Sequence, residues 1–337
     1  MSAVEIHSVL SRFLPAAAIG AIEPLGNAGG WSGSRLWRIT GQTRLLCLRR
    51  WPESTARDRL LLIHYVLTQV AARGIDFVPV PIAAPATGET FVEQAGHFWE
   101  LTPWLPGAAN YRARPSRERL AAAMVALARF HAVGFQVSGF GVQGEGVPAP
   151  GPAVLERLEL VERLLAGEVA RIAEACKQGL SLELDMRAER ILPLAPGKLP
   201  LLLEPLRAAA RLSLPLSPAI RDVHHEHVLF TGDRVTGLID FGALRIDTPL
   251  ADLARLVGSL AGDDPLARRF ALQWYGSVRP LTGQDRELID LLDLSNVVLS
   301  GLNWLRWLYV ERRDMGPLPP ILKQLDDILA RLVVCQY

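Results

Sequence analysis

Two carboxylates and an imidazole stand near one another in an otherwise apolar part of the chain: Asp222, His227 and Asp240, within AIRDVHHEHVLFTGDRVTGLIDFGALRIDTPLADLARL at residues 219 to 256. Between His227 and Asp240, the run VLFTGDRVTGLID has β-favouring residues on either side of Gly232-Asp233, the pattern of a hairpin with a two-residue turn. A hairpin returns its far end to its start, so His227 is expected beside Asp240, with Asp222 on the loop leading in. An acid and an imidazole that converge can hold a divalent cation, and another acid can accept a proton from an alcohol. Together these are the parts that phosphoryl transfer needs.

The elements that would carry these residues can be read from punctuation and periodicity. Val4, Val9, Leu10 and Phe13 predict a short amphipathic helix over 4 to 18. A glycine-rich run, GNAGGWSGS, precedes RLWRIT and RLLCLRRW, two strands separated by a turn at Gly41-Gln42. Residues 57 to 73 lack Gly and Pro and stop at Gly74, the signature of a helix with a glycine after its C-terminus. TFVEQAG and HFWELTPW predict two further strands, and Pro103 and Pro106-Gly107 mark the exit from this region. Helices follow at 116 to 133, capped by Ser116, and at 154 to 177, with loops at GEGVPAPGPA and PLAPGKLP. The expectation is an α+β chain: a small β-rich lobe over residues 1–103 and a larger, mainly helical lobe over 104–337 that includes the hairpin.

Ile220-Arg221-Asp222, then His227 and Asp240-Phe241-Gly242, resemble the kinase catalytic loop and its DFG motif. Against the pattern H-R-D-x-x-x-x-N, Ile220 replaces the histidine and His227 the asparagine. Asp247, Pro249 and Asp252-Leu253-Ala254 follow, and no APE tripeptide occurs. This is closer to the aminoglycoside phosphotransferase and choline kinase group than to protein kinases.

The resemblance implies a bilobal protein-kinase-like fold and a set of roles. Asp222, with Arg221, falls at the catalytic position and Asp240 at the metal position, where His227 is either a second ligand or a hydrogen-bond partner of the loop that leaves the metal to Asp240 alone. Gly29, Gly30, Ser32, Gly33 and Ser34 fall where the group has its phosphate-covering loop, without the strict GxGxxG pattern. Cys47-Leu48-Arg49 resembles the third-strand A-x-K triplet, with Arg49 in the lysine position. The following helix offers Ile63 or His64 where a glutamate partner would stand, which leaves Arg49's ion pair unassigned. Glu100, Leu101, Thr102, Pro103 and Trp104 would form the hinge for a purine base, Pro103 having no N–H to donate.

Lys plus Arg is 36 against 35 for Asp plus Glu, so the net charge of +1 sets up no field favouring nucleic acid or an anionic membrane. The expected partner is a small molecule carrying a hydroxyl. Cys47, Cys176 and Cys335 are odd in number, widely spaced and without CxxC pairing, which fits a reducing cytoplasm. No stretch reaches the roughly 18 uninterrupted apolar residues of a membrane span. HHEH is not the HExxH zinc motif, GWSGS is not an esterase G-x-S-x-G elbow, and no GxxxxGK[ST] phosphate loop occurs. Trp304 and Trp307 share a helix face that could floor a pocket for a cationic substrate, although core packing is the commoner role for aromatics. Asp247 is expected to organise the loop or touch substrate, and Asp252 to brace a helix.

The expected activity is transfer of the γ-phosphate of ATP or GTP to a small-molecule hydroxyl. Mg²⁺ would serve, or Mn²⁺ given an imidazole ligand. Arg49, the missing helix glutamate and His227 motivate an alternative: a pseudokinase-like module that keeps the fold and binds without transferring phosphate.

Overall fold

The alternation in RLWRIT and RLLCLRR builds the first sheet of the computed structural model, which describes residues 3–26, 33–137 and 148–334. Strands β1 (Ile19–Pro24), β2 (Arg35–Gly41), β3 (Leu45–Arg50), β4 (Val92–Gln94) and β5 (His97–Pro103) form an antiparallel sheet in the order β1-β2-β3-β5-β4. Its register sets Trp37 opposite Leu48 and Ile39 opposite Leu46, so one face is continuously apolar and buried. Trp37 stacks on Trp99 with ring centres 5.5 Å apart. Helix α1 (Ala3–Leu10) adds Val9 and Leu10 to this core.

Helix α1 is shorter than the sequence predicts. Pro15 disfavours helical geometry in the residue before it, and the chain passes through a single 3₁₀ turn at Ala16–Ala18 into β1, a strand the sequence did not announce. Burial in β1 follows no two-residue alternation, and its pairing with β2 is irregular between Ile19 and Ile22. Helix α2 (Arg57–Ala72) runs as predicted and ends before Gly74, whose φ is +88°.

The chain divides into two compact units. The first comprises the described residues up to Tyr111 together with Glu226–Gly242; the remaining described residues form the second. The predicted hairpin is present as β7 (Val228–Thr231) and β8 (Arg234–Leu238), with Thr231 opposite Arg234 and φ +59° at Gly232. It belongs to the first unit, not to the second as expected, and backbone hydrogen bonding explains why. Phe230 and Ala108 exchange two N–H···O bonds of 3.0 Å, and the Leu238 N–H donates to the Phe77 carbonyl at 2.7 Å. The approach is close enough that a Cβ on Gly107, whose φ is +101°, would lie 2.8 Å from the Phe230 carbonyl oxygen.

The second unit is mainly helical. It holds α3 (Arg117–Gly134), α4 (Pro152–Arg163), α5 (Val169–Cys176), α6 (Leu182–Leu194), α7 (Leu199–Ala209), α8 (Pro249–Ala261), α9 (Pro265–Gly276), α10 (Gly283–Leu305) and α11 (Leu318–Val334). Ser116 caps α3 by accepting the Arg119 N–H at 3.1 Å, as its position predicts. A π turn containing Gly167, φ +130°, joins α4 to α5. The segment Gly283–Val310 is long and apolar enough to cross a membrane by composition, but 67% of its apolar window is buried inside the protein, where α10 packs against α8 and α11. Two short strands, β6 (Ser217–Ala219) and β9 (Arg245–Asp247), pair antiparallel and frame the loop that carries Asp222.

Candidate active site

In the first unit the hairpin closes as its sequence requires. The Ile239 N–H donates to the His227 carbonyl at 3.0 Å, which sets His227 Nε2 3.7 Å from Asp240 Oδ2. Asp240 has φ +59°, a left-handed conformation that costs a non-glycine residue free energy and is concentrated at functional sites.

Arg49 supplies the cation beside this carboxylate, with Nη1 3.2 Å from Asp240 Oδ1. Its guanidinium also donates to Ser34 Oγ from Nε at 3.2 Å and Nη2 at 3.1 Å, and lies 4.0 Å from the centre of the Trp51 ring. A Cβ on Gly242 would stand 3.1 Å from that guanidinium and 3.2 Å from the Asp240 carboxylate, so the glycine leaves room for the pair. The ion pair that the sequence left unassigned is therefore made across the chain to Asp240. Helix α2 contributes a cation instead of a carboxylate: Arg59 donates to the Gly242 carbonyl through Nε at 3.2 Å and through Nη2.

His64, on the turn of α2 where a glutamate was sought, holds an acid on the sheet. Its Nε2 lies 2.5 Å from Glu100 Oε2 and its Nδ1 2.7 Å from Thr90 Oγ1. Burial pushes the Glu100 carboxyl up, but the hydrogen bond and field of His64 and the Arg49 charge outweigh it and hold the group below the usual carboxylate range. Burial and the Glu100 charge push the Cys47 thiol up to about 12, so this side chain is held as the unreactive thiol.

Glu100, Leu101 and Thr102, to which the resemblance gave a hinge role, fall in the strand that HFWELTPW predicts. All three lie inside β5, opposite Arg49, Leu48 and Cys47, and the Leu101 carbonyl accepts the Ile82 N–H at 2.8 Å. The strand ends at Pro103, and the Trp104 N–H still donates to Leu45. Gly33, φ +80°, and the buried Ser34 are described; Gly29, Gly30 and Ser32 fall outside the described residues.

In the second unit the loop bearing Asp222 is held from below. The Ile220 and Arg221 N–H groups donate to the two oxygens of Asp252, each at 2.6 Å. Asp252 is fully buried on α8, and its Oδ2 lies 3.1 Å from His131 Nε2, while His131 Nδ1 lies 2.9 Å from the Tyr275 hydroxyl. Burial pushes His131 below its ordinary range, with Asp252 opposing. The assignment that satisfies all three groups is a neutral imidazole donating to Asp252 and accepting from Tyr275.

Arg221, φ +70°, turns its guanidinium away from the loop onto Asp247 and Glu156. It braces the loop, and the fully buried Asp247 acceptor fixes where it points. Asp247 also accepts the Ala153 N–H at 3.1 Å and the Thr248 N–H at 2.7 Å. Burial pushes the Asp247 carboxyl up, and Arg221 opposes this. Asp222 keeps its carboxylate at the surface, 42% exposed, in an ion pair with Arg255 of α8. His225 stays on the loop, its N–H and Nδ1 both 2.9 Å from Ser259 Oγ. Trp304 is core, in edge-to-face contact with Trp307, over which Arg313 lies.

Residues 24–288 match the model of the phosphotransferase enzyme family. Among solved structures, spectinomycin phosphotransferase in complex with ADP and spectinomycin is similar at 10% identity and a TM-score of 0.63, with 94% of this chain and 93% of that one covered. Amicoumacin kinase in complex with AMP-PNP, Ca²⁺ and Ami gives 12% identity and a TM-score of 0.63, over 95% and 89% of the two chains. An aminoglycoside phosphotransferase from Alicyclobacillus acidocaldarius subsp. acidocaldarius DSM 446 gives 17% identity and a TM-score of 0.57, over 97% and 94%. No curated protein matches the sequence. At these identities the structural likeness establishes the protein-kinase-like fold.

Proposed function

The chain belongs to the phosphotransferase enzyme family, and from that membership we propose that it moves the γ-phosphate of ATP or GTP to a hydroxyl of a small molecule. The observation that carries the reading is the convergence of His227 and Asp240, joined by the hairpin, with Arg49 from β3.

The donor set suits the metal this chemistry needs. A carboxylate oxygen and an imidazole nitrogen, 3.7 Å apart and facing each other, offer one hard and one borderline ligand, which fits Mg²⁺ and Mn²⁺. Asp240 and His227 would hold the ion, which when bound would neutralise phosphate charge. Arg49 orients the phosphates with its planar fork, and Gly33 and Ser34 belong to the loop that covers them. The base packs at the end of β5, where Trp104 leaves the strand. Asp222 orients the acceptor hydroxyl and takes its proton late in the transfer. For this its carboxylate must leave Arg255, a movement that its surface exposure allows. Arg221, Asp247 and Asp252 keep the Asp222 loop in shape. The acceptor is a small hydroxylated compound, the class to which spectinomycin belongs, and the reaction takes place in the cytoplasm.

The test is a thermal-shift titration with ATP and GTP, each with Mg²⁺, with Mn²⁺ and without metal, on the native protein and on Asp240→Ala. At a ligand concentration 100 times the dissociation constant, the expected stabilisation is about 2.7 kcal/mol. It should require metal and vanish in Asp240→Ala. Metal-dependent binding followed by no phosphate transfer to any hydroxyl compound in a screen is the outcome that the binding-module alternative predicts. A stabilisation that Asp240→Ala retains in full would remove the metal assignment.

A further inference from the structure

Arg49 lacks the helix carboxylate that the family resemblance leads one to expect, and its guanidinium rests on Asp240, 3.2 Å from Oδ1. This arrangement conflicts with the role proposed for Asp240. A divalent cation on the same carboxylate sets two like charges against one group, and at such distances the repulsion in a partly buried site is large. Arg49 must then give up its contact. Its side chain is only 12% exposed, so water is a poor substitute, and until the phosphates engage it a guanidinium without a counter-charge there is costly.

The next strand holds the substitute. Glu100 is the direct cross-strand partner of Arg49 in the antiparallel ladder of β3 and β5, so the two side chains stand on the same face of the sheet. Its carboxylate is already desolvated and oriented: Glu100 is 8% exposed, and one oxygen lies 2.5 Å from His64, itself 2.7 Å from Thr90. The Trp51 side chain also hydrogen-bonds Glu100, and each oxygen of a carboxylate can still accept a further donor. Helix α2 at this turn thus provides the residue that steadies the acid, while the sheet provides the acid.

We infer that Glu100, steadied by His64 and Thr90, is the positioning residue that receives Arg49 when a metal ion and nucleotide phosphates take over Asp240. The inference rests on the nucleotide reading of the site. It replaces an anchor on a helix, which can move as a body, with one on a neighbouring strand whose distance from Arg49 is fixed by ladder hydrogen bonds.

A double-mutant cycle tests it. Dissociation constants for Mg²⁺·ATP and Mn²⁺·ATP are measured for the native protein, Glu100→Gln, Arg49→Ala and the double variant, with adenosine as a ligand that has the base and no phosphates. Glu100→Gln should weaken metal·ATP binding about ten-fold, the value of one charge-assisted hydrogen bond, and leave adenosine binding within about two-fold. In the Arg49→Ala background the same substitution should change nothing further. Equal losses in both backgrounds, or an equal loss for adenosine, would show that Glu100 only supports the fold and would overturn the inference. Should Glu100→Gln fail to fold, Glu100→Asp, which keeps the charge but shortens the reach, carries the same cycle with the same expected outcome. Failure of the native protein to bind either metal·ATP complex would instead strike the proposed function, and the anchor with it.

Discussion

Replacing Asp252 by Asn removes one charge and almost no volume, yet the structure predicts a large effect. The carboxylate accepts the Ile220 and Arg221 N–H groups at 2.6 Å each and stands 3.1 Å from His131, with no exposed surface. Both oxygens accept from donors. An amide has one accepting oxygen, so its NH₂ must face an N–H or leave it unpaired. Losing a charge-assisted bond of about 1.5–3 kcal/mol and stranding a buried donor at about 1–3 kcal/mol gives an expected destabilisation of about 2.5–6 kcal/mol. Against a typical margin of about 5–15 kcal/mol, that is a substantial fraction of the whole. Urea unfolding followed by tryptophan fluorescence measures it as a fall in midpoint at unchanged slope. The control is Asp222→Asn, whose ion pair with Arg255 is 34% and 42% exposed and should be worth less than about 1 kcal/mol. On the proposed mechanism this second substitution abolishes transfer while leaving the fold intact. If Asp252→Asn costs under about 1 kcal/mol, the account of how the loop is held is wrong.

Two further outcomes follow from the same physics. Burial holds His131 below its ordinary value of 6.5, so the unfolded chain takes up a proton there that the folded chain refuses. Stability is therefore complete above pH 6.5 and falls as the pH drops below it; urea midpoints from about pH 7.5 to 5.5 should show the decline, and His131→Gln should flatten it. Gly107→Ala combines a φ of +101° with a Cβ 2.5 Å from Thr236 Oγ1 and 2.8 Å from the Phe230 carbonyl. It should destabilise the first unit by about 2–4 kcal/mol in the same assay, and a neutral result would contradict the close docking of the hairpin.

Much of this architecture follows from local rules, which is why the sequence shows it. The alternation in RLWRIT and RLLCLRR, the helix that stops before Gly74, the Ser116 cap and the two-residue turn at Gly232-Asp233 each depend on a few neighbouring residues, and each is found where predicted. The juxtaposition of His227 and Asp240 is local in the same sense, because a hairpin of known turn length fixes which residues face one another.

What the sequence by itself determined, then, is the motif set, the family and the elements that carry the candidate site. Only the tertiary structure decided the partners: Asp240 for Arg49, 191 residues away, Glu100 for His64, Asp247 and Glu156 for Arg221, and Asp252 for the backbone below Asp222. It also decided that the hairpin joins the first unit. The physical reason is the same in each case. A charged side chain withdrawn from water takes whichever counter-charge the packed chain brings within reach, and that choice depends on the path of the whole chain, whereas a turn or a cap is settled within a few residues.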